Sequence, residues 1–521
     1  MLSENLRRRL RPSFVASAAL LVMGALAGCG LQPPAQGWAV TTAGLDTADT
    51  RLGKAIAPHA QAHPGLAGVI PLGNGRDAFA SRALLADAAQ RTLDVQYYIW
   101  RNDMSGRLLF EALHRAADRG VRVRLLLDDN NTSGLDPILA ALDAHPHIEV
   151  RLFNPFVNRR WRALGYLNDF SRLNRRMHNK SFTADNLASI IGGRNVGDEY
   201  FDAGQDLLFV DLDVLAVGPV VSEVSRDFDR YWSSPSAYPV SSLLASVDPA
   251  TVAGVTTAAA LVERNPAARA YVEALAKSPF VRDLLAGSLP FEWAPTRLVS
   301  DDPAKGLGQA PEHSLLLPRL KEILGTPTRE VELVSPYFVP TAVGVQALAG
   351  MTAAGVKVSV LTNSLEATDV AVVHAGYAKR RKAMLEAGIR LFEMKRSSPL
   401  TVKKELGLSG SSASSLHAKT FAVDGRRVFV GSFNFDPRSA RLNTEMGFVI
   451  DSPNMGTGIA DAFARRVSAH SYEVRLGKSG ALEWVEQLEG QSLVHEQEPG
   501  TSWLLRSSVW FLSLLPIEWM L

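Results

Sequence analysis

One five-position pattern is written twice in this chain, and it constrains the fold more than any other feature. His178, Lys180, Asp185, Gly192 and Asn195 recur at the same mutual offsets as His417, Lys419, Asp424, Gly431 and Asn434. A single match of this kind is weak; two in one chain imply an internal duplication.

The surroundings repeat as well. Thr92 to Trp100 is β-branched and aromatic and reads as a strand, Gly106 to Arg119 as a helix stopped by Gly120, and Val121 to Leu127 as a second strand. This β-α-β unit implies a parallel pair with a right-handed crossover. The same order returns with strand Arg329 to Pro336, helix Val343 to Ala354 and strand Val356 to Leu361. A further helix over Thr368 to Ala387 leads to strand Ile389 to Phe392. The chain is therefore expected to hold two versions of one α/β domain, joined by an Ala-rich helical connector over 240–288.

The repeated residues suit a phosphodiester. His-x-Lys on extended backbone places both side chains on one face. After a turn, a short strand ends in Gly192-Gly193 or Gly431-Ser432, where small residues admit a ligand close to the backbone. Asn195 and Asn434 follow at the mouth. Halves that face each other would gather two imidazoles, two ammoniums and two amides around one pocket. Lysines neutralise non-bridging oxygens, and amides add hydrogen bonds that tighten in the transition state. One histidine attacks phosphorus; the other protonates the leaving alcohol and then deprotonates the acceptor. Asp206 and Glu445 each lie 28 residues beyond a histidine and are each followed by two residues and Phe-Val. They are the expected partners of the ring nitrogens turned away from substrate, fixing the tautomer. The catalytic set is thus His178, Lys180, Asp185, His417, Lys419 and Asp424, although the two aspartates fall in turns and are expected to serve structure. Asn195, Asn434, Ser432, Gly192, Gly193 and Gly431 are expected around the phosphate. Neither a metal nor another cofactor is expected.

The paired signature resembles that of the phospholipase D superfamily, over about residues 70–475. Finer strings resemble bacterial cardiolipin synthases of the phospholipase D type, in particular the third, periplasm-facing kind. They are Ile191-Gly-Gly-Arg-Asn-Val-Gly-Asp-Glu-Tyr-Phe201, Asp211-Leu-Asp-Val214, Ser335-Pro-Tyr-Phe338, Asn363-Ser-Leu365 with Asp369 and Gly376-Tyr377, and Pro516-Ile-Glu518. The resemblance implies an α/β fold of two pseudo-symmetric domains, each a mixed β-sheet flanked by helices, with the active site in the cleft between them. It implies transfer of a phosphatidyl group through a phosphohistidine with His178 as nucleophile, giving cardiolipin from phosphatidylglycerol and a second phospholipid. A hydrolytic phospholipase D or a nuclease-like phosphodiesterase is the alternative. Gly193 stands where the superfamily often has serine, so a hydroxyl contact to phosphate is expected from Ser432 alone.

The N-terminus reads as an export signal. Arg7, Arg8, Arg9 and Arg11 precede an uncharged apolar stretch, Phe14 to Ala27, too short to span a hydrocarbon core of about 30 Å. It closes on Leu26-Ala27-Gly28-Cys29, which resembles the bacterial lipobox, and Cys29 is the chain's one cysteine. An acylated Cys29 would hold the mature protein in the bacterial cell envelope, facing the periplasm; Gly30 leaves the choice of membrane open. The expected organisation is a signal peptide over 1–28, a tether over 29–62, a first domain over 63–239, the connector, a second domain over 289–475 and a C-terminal segment over 476–521. Expected partners are phospholipid substrates and a membrane surface. A net charge of +2 argues neither for nor against a polyanionic partner, but the absence of long basic runs and the envelope address weigh against nucleic acid. Oligomeric state is not readable. Trp161, set among Arg159, Arg160 and Arg162, and Tyr377, on one helix side with His374 and Arg381, are candidate headgroup contacts. The apolar stretch Trp503 to Leu521 is broken by Arg506, Pro516 and Glu518 and reads as interfacial or docked.

Overall fold

The computed structural model describes residues 38–521 apart from 39, 45, 168, 204–206, 286–287, 397–412 and 489. The expected signal peptide and Cys29 lie outside the described residues. In the first half the strands are β1 (Ala67–Leu72), β2 (Thr92–Tyr97), β3 (Arg122–Asp128), β4 (Ile148–Phe153), β5 (Ser181–Ala184), β6 (Ala188–Gly192), β7 (Leu207–Val210), β8 (Asp213–Val217), β9 (Ala237–Pro239) and β10 (Glu292–Ala294). In the second they are β11 (Thr296–Ser300), β12 (Glu330–Val334), β13 (Lys357–Asn363), β14 (Arg390–Met394), β15 (Ala413–Leu416), β16 (Thr420–Val423), β17 (Arg427–Gly431), β18 (Met446–Asp451), β19 (Ser471–Leu476), β20 (Leu482–Leu488) and β21 (Gln491–His495).

The first sheet has the order β10-β1-β8-β6-β5-β2-β3-β4-β9, and the second β11-β18-β17-β16-β12-β13-β14-β19-β20-β21. From β1 to β9 and from β11 to β19 the two orders are the same plan. Each has a parallel trio, β2-β3-β4 and β12-β13-β14, joined through helices, with antiparallel strands beside it. The trio carries runs such as Leu125-Leu126-Leu127, because strands covered on both faces need no polar alternation. Helices such as Gly75–Ala88 and Met104–Asp118 cover one face of the first sheet around Leu109, Leu113, Val123 and Val150. A separate apolar core joins the halves: Ile191, Val214 and Val221 pack with Val428, Phe448 and Ile450. The four strands that carry the Gly192 and Gly431 ends and their neighbours β8 and β18 therefore lie back to back.

Three expected boundaries are corrected. The chain changes sheets at Pro295: β10 pairs with β1 and β11 with β18, so 289–294 belongs to the first half. The stretch expected as a tether is folded from residue 38 onward. Thr50 caps the helix Arg51–Ala62, and the Thr41 and Thr42 carbonyls accept from Arg124 and Arg122. Its low-complexity composition hid a capped helix whose Leu52 and Ile56 pack on the first core. The connector is likewise a layer of the first half, with Tyr271 and Leu275 buried in that core. Residues 476–521 add β20 and β21 to the second sheet and end in the helix Trp503–Ser513. No helix among the described residues is long and apolar enough to cross a membrane.

Arg124 is the most heavily used buried cation of the first sheet. It donates to both Asp94 oxygens at 2.7 and 2.8 Å and to Asp229 at 2.7 Å, and stacks over Phe228. Arg124→Leu strands Asp94, itself 1% exposed, without its partner. The variant is expected to lose about 3–5 kcal/mol of stability, read as earlier unfolding of the first half in urea.

Candidate active site

Both histidines are placed by backbone pairing between halves. His178 N–H donates to the Thr444 carbonyl at 2.9 Å, and Thr444 N–H to the Arg176 carbonyl at 2.9 Å. On the other side β15 pairs in parallel with β7, and His417 N–H donates to the Val210 carbonyl at 2.8 Å. Each segment that leads into a His-x-Lys thus runs beside the segment that leads into a carboxylate of the opposite half. His178 and Lys180 lie just ahead of β5, and His417 and Lys419 between β15 and β16, rather than inside strands.

The carboxylates cross over accordingly. His178 Nδ1 meets Glu445 Oε2 at 2.8 Å, and His417 Nδ1 meets Asp211 Oδ2 at 2.6 Å. These bonds occupy Nδ1 of each ring, and His417 Nε2 lies 3.2 Å from Lys419 Nζ. Asp206 lies outside the described residues, and the carboxylate on His417 is Asp211. Register explains the correction. Gly192 pairs with Asp213, and Gly431 with Gly447, so Asp211 and Glu445 each stand two residues ahead of equivalent positions. The first half has a longer connection there, and the shared 28-residue spacing matched the wrong aspartate.

Burial governs the electrostatics. His178 and His417 are each 7% exposed, and Lys180 and Lys419 are 1% exposed. Burial, then the lysine charges, holds His178 well below its ordinary range and His417 down at about 4, so both rings are neutral at neutral pH. Burial lowers Lys180 and brings Lys419 to about 8, and each ammonium repels or is repelled across the pocket. His178 meets the carboxylate that Ser432 bonds and His417 the one that abuts Gly193, so each histidine lies against the glycine turn of the other motif. The two carboxylates differ. Burial pushes Glu445 up to about 7 despite Lys180, Ser432 and Ser439. Asp211 is equally buried, but the His417 ring, Lys419 and Arg194 hold it down at about 2.

The small residues explain part of that difference. Ser432 Oγ donates to Glu445 Oε2 at 2.5 Å, and Ser439 Oγ to Oε1 at 2.8 Å. Ser432 therefore serves the carboxylate, not the phosphate side expected of it. At Gly193 a Cβ would stand 2.1 Å from Asp211 Oδ1, so the first half has no room for the equivalent serine. Gly192 and Gly431 are likewise glycine for packing: a Cβ would meet Asp213 and the Met446 carbonyl at 2.1 and 2.3 Å. Lys180 Nζ donates to its own motif's His178 carbonyl and Lys419 Nζ to that of His417, both at 2.5 Å. Asn195 accepts from Ile99 N–H at 3.2 Å and donates to Tyr200 Oη at 3.0 Å. The buried Asn434 Oδ1 has no protein partner among the described residues.

Asp185 and Asp424 do not reach the histidines. Both have positive φ, 50° and 55°, in the turns after β5 and β16. Asp185 accepts from the N–H groups of Gln90, Arg91 and Thr92, and Asp424 from those of Thr328, Arg329 and Glu330. They anchor the entrances to β2 and β12, which corrects their grouping with the reacting residues. Tyr377 is also corrected: it is 1% exposed in the second core, with Arg381 over its ring and His374 at its edge. Arg381 in turn pairs with Glu393 and Glu498, so that helix side is a buried ion-paired cluster. Trp161 is exposed, with the Arg160 guanidinium 5.7 Å from its ring centre, whereas Arg159 and Arg162 are tied to Asp129 and Asp136.

Aromatic walls complete the site and were not read from the sequence. Tyr98 sets its edge to His178 at 4.9 Å and Tyr200 to His417 at 5.2 Å. Tyr337 Oη donates to Asp369 at 2.8 Å, and Asp369 favours the charge on Lys419. Their signal was adjacency: Tyr98 closes β2, Tyr337 follows β12 and Tyr200 follows Asn195. Elsewhere, His114, Asp118 and His145 gather within 4.8 Å. His114 Nδ1 meets Asp118 at 3.1 Å and His145 Nε2 meets it at 3.3 Å, so the three form a hydrogen-bonded cluster.

Comparison with known proteins agrees with this architecture. The family model for the cardiolipin synthase, PLD-like domain matches twice, over residues 84–232 and 320–467. Cardiolipin synthase C of Escherichia coli (strain K12) is 52% identical over 473 residues, covering 90% of this chain and all of that protein. Cardiolipin synthase A of Pseudomonas entomophila (strain L48) is 27% identical over 376 residues, 72% of this chain and 63% of its own length. Among solved structures, phosphatidylserine synthase of Haemophilus influenzae Rd KW20 shares the fold, with a TM-score of 0.53 at 12% identity over 91% of this chain and all of that one.

Gly193→Ala tests the crossed pairing directly. Its methyl group displaces the Asp211 carboxylate from His417 while leaving the Glu445–His178 bond intact. Proton NMR is expected to show two far-downfield imidazole N–H resonances in the parent and one in the variant. Two unchanged resonances would refute the geometric argument.

Proposed function

The chain belongs to the family of phospholipase D-like cardiolipin synthases, and we propose that it transfers a phosphatidyl group from one phospholipid to a headgroup hydroxyl of another, forming cardiolipin from phosphatidylglycerol. The observation that carries this reading is the pair of neutral imidazoles, each held at Nδ1 by the other half's carboxylate, beside two buried ammoniums.

His178 Nε2 attacks phosphorus, and the bond from phosphorus to the headgroup oxygen breaks. Once the anionic phosphodiester is bound beside it, His417 takes up a proton from water and gives it to that oxygen, so glycerol leaves from phosphatidylglycerol. The acceptor's hydroxyl then passes its proton to His417 and attacks phosphorus; the N–P bond breaks and His178 is regenerated. Lys180 and Lys419 neutralise the non-bridging oxygens. The division of roles follows the carboxylates. Asp211, firmly ionised, stabilises the imidazolium that His417 must cycle through. Glu445 holds His178 in the tautomer whose Nε2 lone pair faces out. Phosphohistidine trapped on a peptide containing His417 would reverse the assignment.

The address of the enzyme is part of the proposal. Acylation of Cys29 after signal cleavage would confine the mature chain to an envelope membrane where its lipids lie.

The deciding assay incubates the full-length protein with phosphatidylglycerol vesicles, with and without phosphatidylethanolamine. Cardiolipin is the expected product; phosphatidic acid alone would turn the reading to hydrolysis. His178→Ala and His417→Ala are each expected to lower turnover by about 10³-fold or more. The pH profile has a predicted alkaline limb. Lys419 has a folded pKa of about 8, below its ordinary 10.5, so its charge is present below pH 8 and lost above it. Measured against pH, kcat/KM is expected to fall above about 8; a plateau to pH 9.5 would exclude Lys419 as a required cation.

A further inference from the structure

The last helix, Trp503–Ser513, is apolar on two opposite stripes. Leu505, Val509 and Leu512 pack inward on Leu365, Ala371 and Ala375. On the outside, Trp503, Leu504, Trp510 and Phe511 recur at helical spacing, and Trp510 is 65% exposed. A second exposed apolar group stands on the first half, in the loop that holds Trp161, Leu164, Leu167 and Phe170. Soluble surfaces rarely carry contiguous apolar groups of this kind without a partner.

The two groups border the same site. In the loop, Tyr166 Oη donates to Asn130 Oδ1 at 3.1 Å, the Asn130 amide reaches Tyr98 Oη at 3.5 Å, and Tyr98 lies against His178. The last helix sits on the segment that carries Asp369, whose charge acts on Lys419 and which holds Tyr337. Arg438 joins the segments that follow each group. Its guanidinium donates to the Asn174 carbonyl at 3.0 Å and Oδ1 at 2.6 Å, and to the Met520 carbonyl at 3.0 Å.

The chemistry names the partner. Asp169 is bound by Arg172 and Glu518 by Arg380, so neither offers a free negative charge. Arg160 lies over Trp161 with no acidic partner among the described residues, and Arg506 bonds only neutral acceptors. Of the four arginines in residues 157–173, Arg159, Arg162 and Arg172 pair with Asp129, Asp136 and Asp169, so Arg160 is the cation this loop offers to an anionic surface. Tryptophan and arginine together suit the headgroup layer of an anionic bilayer. A helix of 11 residues, about 16 Å long, can lie in that layer but not span it.

We propose that the outer stripe of the last helix and the loop 157–170 form one rim that docks on an anionic phospholipid surface and turns the mouth of the site toward the headgroups. This rests on the phospholipid reading and adds to it the face by which the bilayer is met. Single cysteines replacing Trp510 and Leu164 in the full chain, labelled with an environment-sensitive fluorophore, are added to vesicles of phosphatidylglycerol that contain doxyl-labelled lipid. Both labels are expected to be quenched, and a label at Arg269 on the connector helices is not. Trp503→Ser/Trp510→Ser/Phe511→Ser is expected to lower turnover on vesicles about tenfold or more, with turnover of bis(p-nitrophenyl) phosphate unchanged. Labels at 510 and 164 that stay unquenched on vesicle-bound protein, or that are already buried without vesicles because another segment of this chain covers them, overturn the rim. So does full vesicle turnover by the triple variant. A parent protein that makes no cardiolipin while its labels are quenched overturns the proposed reaction and leaves the rim standing.

Discussion

Everything at the site depends on one exchange: each half lends its carboxylate to the other half's histidine. Neither half can orient its own imidazole, because Glu445 sits on the second half and His178 on the first, and Asp211 and His417 the reverse. The exchange is enforced by backbone. The Met177–Thr444 bridge and the β7–β15 pair run the relevant segments side by side, so side-chain placement follows from strand pairing, not from flexible reach. Such placement is cheap to hold because the apolar core between β6, β8, β17 and β18 already fixes the halves against each other. A buried imidazole–carboxylate pair is costly in isolation. Here it is assembled only in the presence of hydrogen bonds to Ser432, Ser439 and the Leu212 N–H, which satisfy the remaining carboxylate oxygens.

Duplication brings symmetry, and the structure departs from it where chemistry needs two different histidines. The departure begins with a missing methylene. Gly193 lets Asp211 approach so closely that no serine can share its oxygens, and the carboxylate takes its stabilisation from charge: His417, Lys419 and Arg194. Ser432 gives Glu445 a neutral donor instead, and burial then dominates. One carboxylate is thereby held ionised by charge, and burial pushes the other toward its neutral form. A reaction with a nucleophile and a separate proton carrier asks for that inequality.

The fold was largely legible because strong local signals agreed with each other. The trios β2-β3-β4 and β12-β13-β14 are hydrophobic runs separated by amphipathic helices, which few architectures accommodate. His178, Lys180, His417 and Lys419 were legible because duplication repeats their spacing. Asp211 was hidden by a coincidence: a longer connection in the first half left Asp206 at the offset that register later gave to Asp211. Only strand pairing, Gly192 to Asp213 and Gly431 to Gly447, distinguishes them. Tyr377 misled for another reason. Helical periodicity put it beside His374 and Arg381, as the structure does, but periodicity cannot tell a face turned to a pocket from one turned to a core. The folding of 38–62 was missed because helix and tether share a composition rich in alanine, and only the cap at Thr50 and the packing of Leu52 and Ile56 decide between them.

Transfer and hydrolysis share every step up to the covalent intermediate, so what separates them is which hydroxyl reaches phosphorus. Water outnumbers any lipid hydroxyl in solution, and a site open to solvent would therefore hydrolyse. Here the two histidines are 7% exposed and flanked by Tyr98 and Tyr200, which leaves little space for bulk water beside a bound phosphorus. Low dielectric also strengthens the lysine–phosphate attraction that holds the intermediate until an acceptor arrives. An acceptor must then enter from a phase where lipid hydroxyls are concentrated. A mouth pressed against headgroups by a rim of tryptophan and arginine would meet that condition, since the bilayer would replace water there. In this view the apolar last helix and the buried imidazoles answer the same problem, and Arg438, in the turn where Ser439 N–H donates to Asp436, bonds both Asn174, just ahead of His178, and Met520, just after that helix.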